Sequence, residues 1–83
     1  MTASPEQYAK KHIDVINTIH GETTLKQLMA ATGRTRAGLW QILNIMQKKK
    51  LVKVTHYAQV EEGYPDGINF YELTDKGKEY VSN

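Results

Sequence analysis

The sequence predicts an α+β fold in which a three-helix bundle is followed by a β-hairpin and a short C-terminal helix. Three observations predict it. Apolar residues recur at helical spacing in three separate stretches before Leu51. Beyond Leu51 the period falls to two, with Val52 and Val54 alternating with Lys53 and Thr55. Hydroxyl residues stand where each helical stripe begins, two of them followed three positions later by Gln. At 83 residues the chain is expected to form one domain over residues 1–83. A chain of that size buries about 60% of the surface its unfolded state exposes.

Ser4-Pro5-Glu6-Gln7 opens the first helix, because Ser4 can cap it, Pro5 is tolerated at the first helical position and Gln7 completes a capping box. Ala9, Ile13, Ile16 and Ile19 then mark its buried stripe until Gly21 stops it. Thr24 and Gln27 repeat the capping box, Leu25, Leu28 and Met29 point inward, and Thr32-Gly33 ends this second helix. Thr35 caps a third helix running to about Lys49, with Leu39, Ile42, Leu43 and Met46 as its buried stripe. Two short helices joined by a tight Gly-containing turn form a helix-turn-helix arrangement. A strand is expected from Val52 up to Val60, a turn over residues 61–67, and a returning strand from Ile68 to Leu73. Thr74 caps a last helix from Asp75 to about Val81, softly broken by Gly77.

Charge is segregated along this chain. The formal net charge is only +2, yet residues 23–56 hold seven bases and no acid, while both flanks are mildly acidic. Such a distribution draws polyanions to one face and leaves the rest solvated. The plainer alternative for Lys48-Lys49-Lys50 is a solvated helix end, where cations suit the helix dipole.

Several function classes are disfavoured. Without Cys there is no disulfide framework, thiolate nucleophile or cysteine-ligated metal. No apolar run reaches membrane-spanning length and the N-terminus lacks a signal-peptide core, so the cytoplasm is expected and no membrane partner. His12, His20 and His56 have no metal-ligand spacing, and Glu61-Glu62 lie beside a turn where nothing desolvates them. With no Gly-rich phosphate loop and no Ser/His/Asp set, neither an enzyme nor a cofactor is expected. Of the five tyrosines that could stack on RNA bases, Tyr57 and Tyr64 are the ones expected at the surface.

The order helix, helix-turn-helix, hairpin, with Leu25, Leu28, Gly33, Leu39, Leu43, Met46, Leu51 and Val52 at their spacings, resembles the winged helix-turn-helix superfamily of transcription regulators. Tyr71-Glu72-Leu73-Thr74-Asp75-Lys76-Gly77 is similar to the Y-x-L-T-x-K-G ending of MarR-type regulators. The resemblance covers roughly residues 8–81. It implies a sequence-specific double-stranded DNA-binding regulator, repressor-like, with the third helix in the major groove. Two features depart from the pattern. Only two residues follow Val81, so the long flanking helices of MarR dimers are not expected, and the hairpin tip carries Glu61, Glu62 and Asp66 but no base.

With the apolar stripe of the third helix turned inward, Arg36, Ala37, Trp40, Gln41 and Asn44 face outward. Arg suits guanine, Gln and Asn suit adenine, and Ala37 or Trp40 could meet a thymine methyl. Lys26, Arg34, Thr35, Lys48, Lys49, Lys50 and Lys53 suit phosphates, which position without reading sequence. An outward indole at position 40 has three readings: DNA contact, a protein interface, or part burial. Gly38 is read as close packing against the second helix. One module covers about one half-site, so a homodimer is expected. A protein-interaction module using Trp40 and the acidic hairpin, with Tyr64 and Pro65, is the alternative.

Overall fold

Ser4 begins the described structure, which is a computed structural model covering residues 4–58 and 67–81. Its hydroxyl accepts from the Gln7 backbone N–H at 3.1 Å while Gln7 Oε1 accepts from the Ser4 N–H, so the capping box forms around α1 (Pro5–Lys11). The expected single helix is in fact two. The backbone breaks at His12 (φ −118°, ψ 43°) and resumes as α2 (Ile13–Thr18). An unbroken helix would hold Val15 well off the stripe of Ala9 and Ile16. The break re-aims the second segment so that Ala9, Val15 and Ile16 are all buried.

Thr23 and Thr24 form a two-residue strand, β1, which the sequence pattern did not announce. Thr24 then caps α3 (Leu25–Thr32) through a second capping box, and Gly33 closes that helix at φ +72°, a left-handed position that favours glycine. After the turn, Thr35 accepts from the Gly38 N–H at 3.1 Å and starts α4 (Arg36–Lys48). A side chain at Gly38 would press on this capping hydroxyl, not on α3, so the expected reason for the glycine is corrected.

The strands β2 (Val52–Tyr57) and β3 (Ile68–Leu73) pair antiparallel, and β1 pairs with the other edge of β3, giving the order β1-β3-β2. The first hairpin strand therefore ends at Tyr57, short of the expected Val60. Residues 59–66, with the expected acidic tip of Glu61, Glu62 and Asp66 and with Tyr64 and Pro65, lie outside the described residues. The last helix, α5 (Asp75–Lys78), is one turn long and does not continue to Val81. Its Gly77 is buried against the Leu51 carbonyl, where any side chain would collide.

One core unites these parts. Ile16, Leu28, Leu39, Leu43, Met46 and Leu51 are fully buried, and Val52, Tyr71 and Leu73 close the core from the sheet's inner face. Each such side chain contributes roughly 1.5–3 kcal/mol through burial. The architecture is α+β: five helices and a three-stranded antiparallel sheet among the described residues.

Candidate nucleic-acid interface

Packing decides which side of α4 meets solvent. Leu39, Ile42, Leu43 and Met46 are buried, the opposite side exposes Ala37, Gln41 and Lys48 with Asn44 half-buried, and Arg36 is exposed in the first turn, beyond Trp40. Trp40 is 57% exposed, so the part-burial alternative for its indole does not hold. At 100° per residue, Ala37, Asn44 and Lys48 sit at the middle of this face, Trp40 at one edge and Ile45 at the other. Ile45, 37% exposed, is a surface residue the sequence reading passed over. Its angular position relative to Gln41 and Lys48 was the available signal. No residue of α4 is acidic.

The residues expected on phosphates separate into two groups. Lys26 stands exposed in the first turn of α3, and Lys48 and Lys50 are exposed at the end of α4. Neither these three nor Arg36 makes an ion pair among the described residues. The others have partners. Arg34 donates from Nε and Nη2 to the two carboxylate oxygens of Asp14, at 2.8 and 3.0 Å, which ties the α3–α4 turn to α2. That hydrogen-bonded guanidinium holds the Asp14 carboxyl below its usual pKa and raises that of Arg34 itself. Lys49 lies over the Tyr8 ring, 5.7 Å from its centroid. Thr35 uses its hydroxyl oxygen as the α4 cap. Lys53 faces Glu72 across the sheet at 3.5 Å, on the side opposite to Val52, Val54, Tyr71 and Leu73. It is thus turned away from α4.

Beside the Trp40 edge the surface is concave. A cleft of about 610 Å³ lies between α3, α4 and the hairpin, and Lys26, Arg36 and Trp40 line it together with His56, Asn69 and Tyr71. No carboxylate lines it among the described residues. His56 and Asn69 are register partners whose Nδ1 and Oδ1 are 2.6 Å apart. An amide oxygen only accepts, so the imidazole donates from Nδ1 and the Asn69 amino group stays available as a donor. Neither residue stood out in the sequence, because their meeting depends on the pairing register of two strands separated in the chain.

His12 meets Tyr8 at a tilt, ring centroids 4.6 Å apart and planes at 57°, with its Nδ1 buried and without a hydrogen-bond partner among the described residues. Burial, reinforced by Arg34 and Lys11, lowers its pKa. Burial likewise raises that of Tyr8. Tyr57, 44% exposed, donates its hydroxyl to Glu22 at 2.9 Å. Among the described residues no group of three or more His, Cys, Asp or Glu is placed to hold a metal ion, and no helix is long and apolar enough to cross a membrane. Comparison of the chain with protein-family models, with curated proteins and with solved structures returned no match.

Proposed function

We propose that the chain is a winged helix-turn-helix module that binds double-stranded DNA sequence-specifically and regulates transcription, in a repressor-like manner, as a homodimer. The observation that carries the proposal is the solvent face of α4, acid-free and bearing Ala37, Gln41 and Asn44, with the exposed cations Lys26, Arg36, Lys48 and Lys50 around it, none in an ion pair among the described residues. Supporting it, α4 packs one side into the core and leaves the other in solvent, with its N-terminus capped by Thr35. In this reading α4 enters the major groove, Ala37, Gln41 and Asn44 meet base edges, Arg36 reads guanine from the first turn, and Lys26, Lys48 and Lys50 hold phosphates. Arg34 orients the turn through Asp14.

The test uses the only tryptophan as reporter. Mixed-sequence duplex DNA is titrated at low and moderate salt while Trp40 emission and the anisotropy of labelled DNA are recorded. Binding that perturbs Trp40 and weakens steeply with salt is expected. Absence of binding even at low salt overturns the proposal. The second reading, a protein-interaction module, is favoured by the exposed Trp40 and Ile45 on one helix. It requires Trp40→Ala to abolish a protein pull-down while DNA affinity stays unmeasurable.

A further inference from the structure

We propose that the cleft between α3, α4 and the hairpin also binds one nucleotide with an unpaired base, its phosphate held by Lys26 and Arg36 and its base stacked on Trp40. Lys26 and Arg36 are shared with the proposed duplex contact, but the Trp40 stack and the Asn69 amide have no part in it, so the inference goes beyond that reading.

The ligand class follows from which chemistries would leave part of the cleft unused. A bare phosphate would satisfy Lys26 and Arg36 but would not engage the exposed indole of Trp40 or the Asn69 amide. A neutral aromatic would cover Trp40 and leave Lys26 and Arg36 unused. A nucleotide has the anionic group, the planar face and a hydrogen-bonding edge in one molecule. Aromatic side chains stack any base because every base has a π-face, and Arg36 adds a planar cation to the same wall. The base edge meets the Asn69 amino group, fixed by the donation of His56 to its oxygen at 2.6 Å. The volume of about 610 Å³ lies within the range of small-ligand sites.

The unpaired nucleotide has two sources, a free mononucleotide or the end of a DNA strand. The experiment records the Trp40 indole and Asn69 side-chain amide resonances of the isotopically labelled full chain. It is titrated with deoxyadenosine monophosphate, with ribose 5-phosphate, and with matched duplexes that are blunt or carry a one-nucleotide overhang. Saturable shifts with the free nucleotide, or with the overhang in preference to the blunt duplex, support the site and tell which source it takes. Base stacking makes the nucleotide at least about fivefold tighter than ribose 5-phosphate, and Trp40→Ala should remove that advantage. Asn69→Ala, at an exposed strand position, is expected to weaken the nucleotide about tenfold with an unchanged circular dichroism spectrum. The inference is overturned if ribose 5-phosphate shifts the two resonances as strongly, or if neither nucleotide source shifts them. Blunt-duplex affinity reports separately on the proposed function: its loss with nucleotide binding retained sinks that reading alone, and the converse sinks this one alone.

Discussion

Gly77 shows how much a single backbone contact constrains this fold. In the sequence it reads as a soft break in a helix, but in the structure it has no room for a side chain. The Leu51 carbonyl occupies the space a Cβ would fill, and Leu73 Cδ2 would stand 3.3 Å from it. The same carbonyl accepts from the Thr74 N–H at 3.0 Å, so it is held where it is and cannot retreat. Gly77→Ala should therefore cost ~2 kcal/mol or more by overpacking. For a domain of this size that lowers Tm by about 10 °C. A thermal melt followed by circular dichroism checks it, and a Tm unchanged within error would mean that α5 shifts away freely. Gly38 differs, since the contact a side chain would meet there is the Thr35 hydroxyl at 3.1 Å, a side-chain oxygen that it could displace only by disturbing the α4 cap.

Between elements, the main polar tie is Asp14 of α2 to Arg34 in the turn before α4. It ties α2 to that turn, yet 42% of the Asp14 side chain and 34% of the Arg34 side chain stay in water, so the pair is worth under about 1 kcal/mol. Because the Arg34 hydrogen bonds hold the Asp14 carboxyl below the ordinary 3.8, the unfolded chain takes up this proton first as pH falls. The stabilisation is complete above that ordinary value and is lost as pH drops through the folded one. Asp14→Asn should accordingly destabilise at pH 7 by up to about 1 kcal/mol, and urea melts should show the gap to wild type narrowing toward pH 2. A gap of constant size would remove ionisation from the account. Elements with strong local signals were legible: the boxes at Ser4 and Thr24, the cap at Thr35 and the αL turn at Gly33 all form as their residues dictate. What was not legible depends on distant partners. β1 is two threonines made a strand only by Tyr71 and Phe70, and the His12 break serves the burial of Val15 while leaving the apolar spacing apparently continuous.

At the scale of the whole molecule, the linear run of seven bases resolves into two surfaces that the sequence could not distinguish. The α4 surface was readable from helical periodicity, and its outward set needed only Ile45 added. The assignment of individual cations was not readable, because Arg34 and Lys53 meet acids 20 and 19 positions away through tertiary packing. This separation makes a quantitative prediction for the proposed DNA complex. Lys26, Arg36, Lys48 and Lys50 are the cations around α4 without an ion pair among the described residues. If Lys26, Lys48 and Lys50 each neutralise one phosphate while Arg36 reads a base, about 3 counterions are released per chain, and the log-log salt slope is about −2.7 for one chain and about −5.4 for a dimer. Lys48→Gln should reduce the steepness by about 1 per chain and weaken all sequences alike. Lys53→Gln should leave the slope unchanged, because Lys53 faces Glu72 on the other side of the sheet. Anisotropy titrations over a series of salt concentrations measure all three proteins. Equal loss of slope in the two variants would mean that DNA contacts the sheet rather than α4, and a slope near zero in wild type would mean that the charge segregation serves another partner.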